Sequence, residues 1–139
     1  PFLFYFYKKN MRSFLLLLLI ISSLTTIQAQ DEKEKEPLVH SVLFWLKNPK
    51  SKSDRFAFEA AIQKLIANNP QKISGYLGKP ANTEARGVVD SSFTYFYQMT
   101  FADAAAEAAY QIDPTHLAFV AEAEHLWEKV IVYDAAPIE

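Results

Sequence analysis

The sequence predicts an α+β domain with a four-stranded antiparallel sheet, in the split βαββαβ order of ferredoxin-like folds. Two observations lead to this prediction. Some segments alternate apolar and polar residues with a period of two, as strands do, while others follow helical spacing behind capping residues. The segments occur in the order strand, helix, strand, strand, helix pair, strand. With 139 residues, 50% of them hydrophobic, the chain can form one domain with a packed core.

The predicted domain opens with a strand followed by a helix. Leu38–Leu46 (LVHSVLFWL) is rich in β-branched and aromatic residues, and both of its faces are mostly apolar, so both should be covered. Ser53 and Asp54 predict a helix start. Apolar residues at helical spacing then continue to about Asn68, where Asn-Asn-Pro ends the helix.

The remaining elements are predicted from the same kinds of pattern. A weaker strand contains two glycines, which suggest a bulge or the close approach of another group. The clearest strand, SFTYFYQMTF, places an aromatic residue or Met at every second position, and an aspartate followed by a proline is a typical helix start. The predicted bounds are Lys72–Pro80 and Ser92–Phe101 for these strands, Asp103 to Tyr110 and Asp113 to about Trp127 for the helices, and Glu128–Asp134 for the last strand.

A sheet covered by helices on one side leaves its other face bare. In either phase of the strands, that bare face would carry large apolar side chains, and an exposed patch of this size usually marks an interface. We therefore expect a homodimer in which two sheets pack face to face, giving a dimeric α/β-barrel.

The stretch MRSFLLLLLIISSLTTIQAQ, which begins at Met11, has the pattern of a secretory signal peptide. Arg12 supplies the positive charge, an apolar run follows, and Ala29 ends a small-residue cleavage site. A retained membrane anchor is the alternative, but the run ends by Ile27, is diluted by Ser and Thr, and is shorter than the roughly 20 residues that a span needs. We expect residues 1–29 to be a signal peptide region with its true start at Met11.

Such a leader predicts an exported protein, periplasmic or secreted, without a stable membrane anchor once the leader is cleaved. Residues 30–37 (QDEKEKEP) are predicted to form a charged, solvated linker, and residues 38–137 the domain.

Composition excludes several classes of function. The net charge is only −2, so no strongly basic face is available and nucleic-acid binding is not expected. The chain has no cysteine, which excludes disulfides, thiolate nucleophiles and zinc ribbons. It has no glycine-rich phosphate loop, and no spacing of His, Asp and Glu that commits it to a metal. We predict neither a cofactor nor a metal.

The chain resembles a known family in five stretches. These are LVHSVLFWLK, the strand that ends in YQMTF, the alanine-rich helix that ends in Tyr110, DPTHLAFV, and LWEKVIVYD. In this order and spacing they resemble the stress-responsive A/B-barrel (Dabb) domain family over Leu38 to Asp134. The resemblance implies an α+β barrel formed by a dimer.

The resemblance also implies a candidate site. One plant branch of the family, olivetolic acid cyclase, is a cofactor-free polyketide cyclase that uses a Tyr and a His as acid and base, with a second His on the first strand. These roles would map onto Tyr110, His116 and His40. The chain departs from that branch at Asp113, where a histidine is common, and in its export signal, which argues against the same substrate.

Each of these residues also has a purely structural interpretation. His116 could be a hydrogen-bonded histidine at a helix start, Tyr110 a core aromatic, and His40 a satisfied core histidine. The aromatic strand could likewise be only core and dimer interface. As lining of a ligand pocket, the pattern favours Val42, Phe44, Tyr95, Tyr97, Phe119 and Val120.

Three functions remain open at this point. The first is an exported family member of unassigned activity that holds a small apolar or aromatic ligand in a barrel cavity. The alternative is a cofactor-independent cyclase, isomerase or lyase with His116 as base and Tyr110 as hydrogen-bond donor. The third is a purely structural dimer. The enzyme hypothesis requires that His40, Tyr110 and His116 converge on one open cavity.

Overall fold

The structure is a computed structural model that describes residues 36–138. The predicted signal peptide and nearly all of the charged linker lie outside the described residues. Within the described part, no helix is long and apolar enough to cross a membrane.

Four strands form one antiparallel sheet in the order β2-β3-β1-β4, which confirms the predicted ferredoxin-like α+β fold. A single turn of 3-10 helix, Glu124–Leu126, connects the last helix to the last strand. The elements are β1 (Leu38–Leu46), α1 (Lys52–Asn68), β2 (Lys72–Gly78), β3 (Tyr95–Phe101), α2 (Ala104–Gln111), α3 (Pro114–Ala123) and β4 (Trp127–Ala135).

The first helix begins earlier than predicted. Ser51 is its N-cap, because the Ser51 hydroxyl accepts the Asp54 N–H at 3.2 Å and donates to the Asp54 carboxylate at 2.7 Å. Asp54 therefore lies in the first turn, where its charge favours the helix dipole. Side-chain hydrogen bonds from Ser51 and Asn48 lower the pKa of Asp54.

β2 ends at Gly78, two residues before the predicted Pro80, and two other boundaries differ from the prediction by three residues or more. β3 begins at Tyr95 and not at Ser92, because the Thr94 hydroxyl, and not a backbone carbonyl, accepts the Leu46 N–H at 3.1 Å. The helix that was expected to reach Trp127 ends at Ala123. The 3-10 turn follows, and Trp127 is the first residue of β4, opposite Leu46.

The core lies between the inner face of the sheet and the helices. Burial alternates strictly along β3 and, from Val39 onward, along β1, as the period-two pattern predicts. The inner face carries His40, Val42, Phe44 and Leu46 from β1 and Tyr95, Tyr97, Met99 and Phe101 from β3, all buried. Phe58, Ala61, Ile62 and Leu65 of α1 cover it.

The outer face of the sheet carries several large side chains that remain partly or largely exposed. Tyr76 and Phe96 contact each other there, and Tyr133 is 60% exposed. The Lys129 ammonium lies 4.2 Å from the centre of the Trp45 ring, a cation–π contact at one end of this face. This is the bare apolar face that the sequence predicts.

Candidate functional site

A cavity of about 160 Å³ lies between the inner face of the sheet and helices α2 and α3. We call it the inner cavity. It brings together eight of the nine residues that the sequence singles out: His40, Tyr110, His116, Val42, Phe44, Tyr97, Phe119 and Val120. Its other lining residues are Gln111, Trp127, Val130 and Val132, so the wall is mostly apolar.

Asp113 fixes the start of α3 and thereby the position of His116. Its carboxylate accepts the Thr115 N–H at 2.8 Å and the Thr115 hydroxyl at 2.6 Å. These hydrogen bonds, with a smaller contribution from Gln71, lower the pKa of Asp113. The carboxylate is therefore ionised at neutral pH and engaged in capping the helix. Pro114 takes the first helical position, as predicted.

His116 is half-buried at the edge of the inner cavity, and one of its ring nitrogens is tied to the backbone. Its Nδ1 lies 3.2 Å from the Gln111 carbonyl oxygen, at the end of α2. A carbonyl oxygen can only accept, so Nδ1 must carry the proton of this hydrogen bond. In the neutral imidazole the lone pair then lies on Nε2.

Tyr110 is a neighbour of both histidines. It is 2% exposed, and its ring centre is 4.4 Å from that of His116 and 5.8 Å from that of His40. Burial raises the pKa of Tyr110, and the nearby Tyr97 and Glu107 raise it further. The phenol is therefore a neutral hydrogen-bond donor at physiological pH.

His40 is buried on β1 and is held by a residue of the last strand. Its Nδ1 donates to the Asp134 carboxylate at 2.7 Å, and the two residues are directly opposite in the β1–β4 register. The sequence interpretation missed Asp134. The signal was the predicted fold itself, because pairing of its first and last strands places an Asp at the end of β4 beside a His at the start of β1.

Tyr95 does not line the inner cavity, in contrast to the prediction. Its ring stacks on Phe58 at 4.7 Å, and its hydroxyl donates to the Glu59 carboxylate. Burial and then Glu59 raise the pKa of Tyr95 to about 12. Strand parity predicted the correct face of the sheet, but Tyr95 lies under α1, and the cavity lies under α2 and α3.

Two other features bear on ligands. Among residues 36–138, the side chains of His40, Glu107 and Asp134 form a group that could hold a cation. Each offers one ligand atom, and these atoms lie within 4.8 Å of one another. However, His40 already hydrogen-bonds Asp134, and Glu107 hydrogen-bonds Gln111.

A larger depression of about 360 Å³, lined in part by Trp45, lies where β1 ends and contains none of the predicted site residues.

Comparison with known proteins identifies the domain. The family model of the Stress responsive A/B Barrel Domain, or Dabb, matches residues 38–137. A Dabb family protein with a ferredoxin-like fold from Mesorhizobium loti superposes with a TM-score of 0.62 at 23% identity, over 75% of this chain and 99% of that one. No curated protein sequence matches significantly.

Two further solved structures share the fold. A hydroxynitrile lyase from Passiflora edulis has a TM-score of 0.63 at 23% identity, over 76% of this chain and 96% of its own. A dimeric ferredoxin-like protein of unknown function from Thermobifida fusca has a TM-score of 0.60 at 17% identity, over 75% of this chain and 93% of its own. At these identities the likeness establishes a shared fold.

Proposed function

Because the chain belongs to the stress-responsive A/B barrel (Dabb) domain family, we propose that it is an exported member that binds a small, largely apolar molecule in the inner cavity. The observation that supports this is the convergence of His40, Tyr110 and His116 on one open cavity with an apolar wall. Ligand sites typically combine an apolar lining with a few convergent polar groups. The leader sequence that begins at Met11 supports export.

A homodimer through the outer sheet face is part of the same proposal. Tyr76, Phe96 and Tyr133 leave that face with aromatic surface that a second copy would cover. The neighbour from Thermobifida fusca is described as dimeric, which supports the proposal by analogy of fold.

A specific observation favours a second candidate, cofactor-independent acid–base catalysis. The Gln111 carbonyl holds the proton on Nδ1 of His116, which leaves Nε2 as a base. Tyr110, 4.4 Å away between ring centres, is a neutral donor that can stabilise negative charge developing on a substrate oxygen. The hydroxynitrile lyase on the same fold supports the lyase class within this candidate.

Native mass spectrometry of the protein purified from its own cells tests the binding function. We expect a mass of two chains with one small molecule retained per chain. The variant His116→Ala should stay folded and lose the retained molecule, while His125→Ala, which removes an exposed histidine on the 3-10 turn, should keep it. Wild-type protein that carries no small molecule after gentle purification would contradict the proposal, and unfolding of His116→Ala would make His116 a structural residue.

Proton exchange tests the catalytic candidate. With acetophenone in D₂O, His116 Nε2 would remove a methyl proton and Tyr110 would stabilise the enolate, so deuterium would enter the methyl group faster than in buffer. We expect His116→Ala and Tyr110→Phe to lose most of this acceleration and His125→Ala to retain it. Equal rates in all four proteins would argue against acid–base chemistry and leave the binding function standing.

A further inference from the structure

Tyr97 is a buried tyrosine of the inner cavity that the proposed acid–base pair does not use. It lies in the middle of β3 and is 1% exposed. Its hydroxyl oxygen is covered by protein atoms and has no hydrogen-bond partner among residues 36–138. Buried polar groups in native proteins are almost always paired, so an unpaired phenol in a cavity wall calls for a partner from elsewhere.

Tyr95 lies two residues earlier on the same strand and the same face. Its hydroxyl has a hydrogen-bond partner, so the lack of one is particular to Tyr97 and is not shared by every tyrosine of this face. The Tyr95 hydroxyl donates to Glu59, whereas Tyr97 faces the cavity and meets no acceptor. Burial raises the pKa of Tyr97, and Tyr97 in turn contributes to the raised pKa of Tyr110. The cavity is thus lined by two neutral phenols near each other, both able to donate.

We infer that Tyr97 selects the ligand by donating a hydrogen bond to an acceptor oxygen of the carbonyl type, on a molecule whose apolar body occupies the inner cavity. The inference rests on the proposed binding function. The Tyr97 oxygen is covered in this conformation. The inference therefore requires that ligand binding displace the Tyr110 ring or change the χ1 angle of Tyr97, so that the hydroxyl meets the acceptor.

The lining of the cavity narrows the chemical class of the ligand. No lysine or arginine of the described residues lines it, so a carboxylate would gain a cation only if His40 or His116 took up a proton, and a neutral carbonyl is favoured. Aromatic rings of Phe44, Phe119 and Trp127 supply an apolar wall. A cavity of about 150 Å³ holds benzene in another protein, so about 160 Å³ suits a benzene-sized aldehyde or ketone.

Two probes of nearly the same shape test the inference: acetophenone, and α-methylstyrene, in which a CH₂ group replaces the carbonyl oxygen. Isothermal titration calorimetry gives the Kd of each, and their ratio reports the contribution of the oxygen. Tyr97→Phe should reduce the preference for acetophenone about five- to tenfold relative to the wild type. The matched control Tyr95→Phe, which also removes a buried hydroxyl, should leave the ratio within about twofold.

The outcomes separate the inference from the proposed function. If both probes bind and Tyr97→Phe leaves the ratio unchanged, the role of Tyr97 is overturned and the binding function stands. If the wild type binds neither probe at millimolar concentration, the proposed function fails for this ligand class, and the inference fails with it. Thermal unfolding adds a readout without ligand: Tyr97→Phe should not lower the Tm, whereas Tyr95→Phe should. Tyr97→Met, which also lacks a donor, replaces Tyr97→Phe if that variant does not fold.

Discussion

At the scale of single residues, each histidine of the inner cavity is oriented by a hydrogen bond from its ring to an oxygen acceptor. The Gln111 carbonyl holds His116 and the Asp134 carboxylate holds His40, each through Nδ1. Both imidazoles are thereby held in the same tautomer: when the ring is neutral, the proton is on Nδ1 and the lone pair is on Nε2. The Tyr110 ring is a neighbour of both imidazole rings, so a ligand polar group that meets Tyr110 also lies near a histidine base.

The tautomer of His116 is the prediction that belongs to this scale. Long-range ¹H–¹⁵N correlation spectra at a pH where the histidines are neutral should show the proton of His116 on Nδ1, because a carbonyl oxygen can accept but not donate. His125, which is exposed and makes no such contact among the described residues, should show mainly the Nε2–H form and serves as the internal control. A proton on Nε2 of His116 would remove the base from the catalytic candidate.

At the scale of elements, the start of α3 is the decisive junction. α2 ends at Gln111 and α3 begins at Pro114, so Tyr110 and His116 lie on different helices and still face one cavity. The Asp113 cap provides both the helix start and the direction of the His116 side chain. No residue of this junction needs a positive φ, so ordinary residue types suffice to build it.

Replacement of this cap is predicted to affect both stability and binding. Asp113→Ala removes the acceptor of the Thr115 N–H and hydroxyl and should lower the free energy of unfolding by about 1 kcal/mol, measured by urea denaturation. Asp103→Ala removes the corresponding cap of α2, where Asp103 accepts the Ala106 N–H at 2.7 Å, and should cost a similar amount. Only Asp113→Ala should also weaken acetophenone binding. Equal weakening by both variants would mean that the cap does not position His116.

The elements also show what sequence patterns can and cannot predict. The sequence predicts β1 with its observed bounds and predicts the start of α3 at Asp113. In each case the local pattern is unambiguous: a β-branched and aromatic run for β1, and Asp followed by Pro for α3. The predicted start of α1 differs from the observed one because Ser51, Ser53 and Asp54 are all good capping residues, and only the tertiary structure selects Ser51.

The candidate site could be predicted only in part, for a related reason. The types and order of His40, Tyr110 and His116 come from the chain itself, together with the family resemblance. The partner of His40 depends on the β1–β4 register, and the place of Tyr95 depends on which helix covers each part of the sheet. Both are long-range properties that a period-two pattern does not contain.

At the scale of the whole molecule, the two faces of the sheet have opposite roles. The inner face forms the core and the inner cavity, and the outer face offers apolar surface to a second copy. Since helices cover only one side of the sheet, the outer face keeps apolar surface that no described element covers. Dimerisation and ligand binding should therefore be separable by mutation.

A charge on the outer face is predicted to give a monomer that still binds ligand. Leu43 lies on that face of β1, half-buried, opposite Phe96 and Ile131. Leu43→Lys should halve the mass measured by light scattering at micromolar concentration, because a lysine would be buried without a partner in the interface. Val88→Lys, on the exposed turn between β2 and β3, should leave the mass unchanged. A wild-type protein that is monomeric under these conditions would refute the sheet-to-sheet dimer.

The shortness of the two helices that carry Tyr110 and His116 has a consequence for how long the site survives on heating. α2 has 8 residues and α3 has 10, and isolated helices shorter than about 12–15 residues are marginal in water. Neither helix can keep its shape without contact with the sheet. Local opening of this corner therefore dismantles the site before the strands separate, and amide hydrogen exchange should be fastest in α2 and α3 and slowest in β1 and β3. A ligand bound in the inner cavity would contact both helices and should slow amide hydrogen exchange in α2 and α3 more than in the strands.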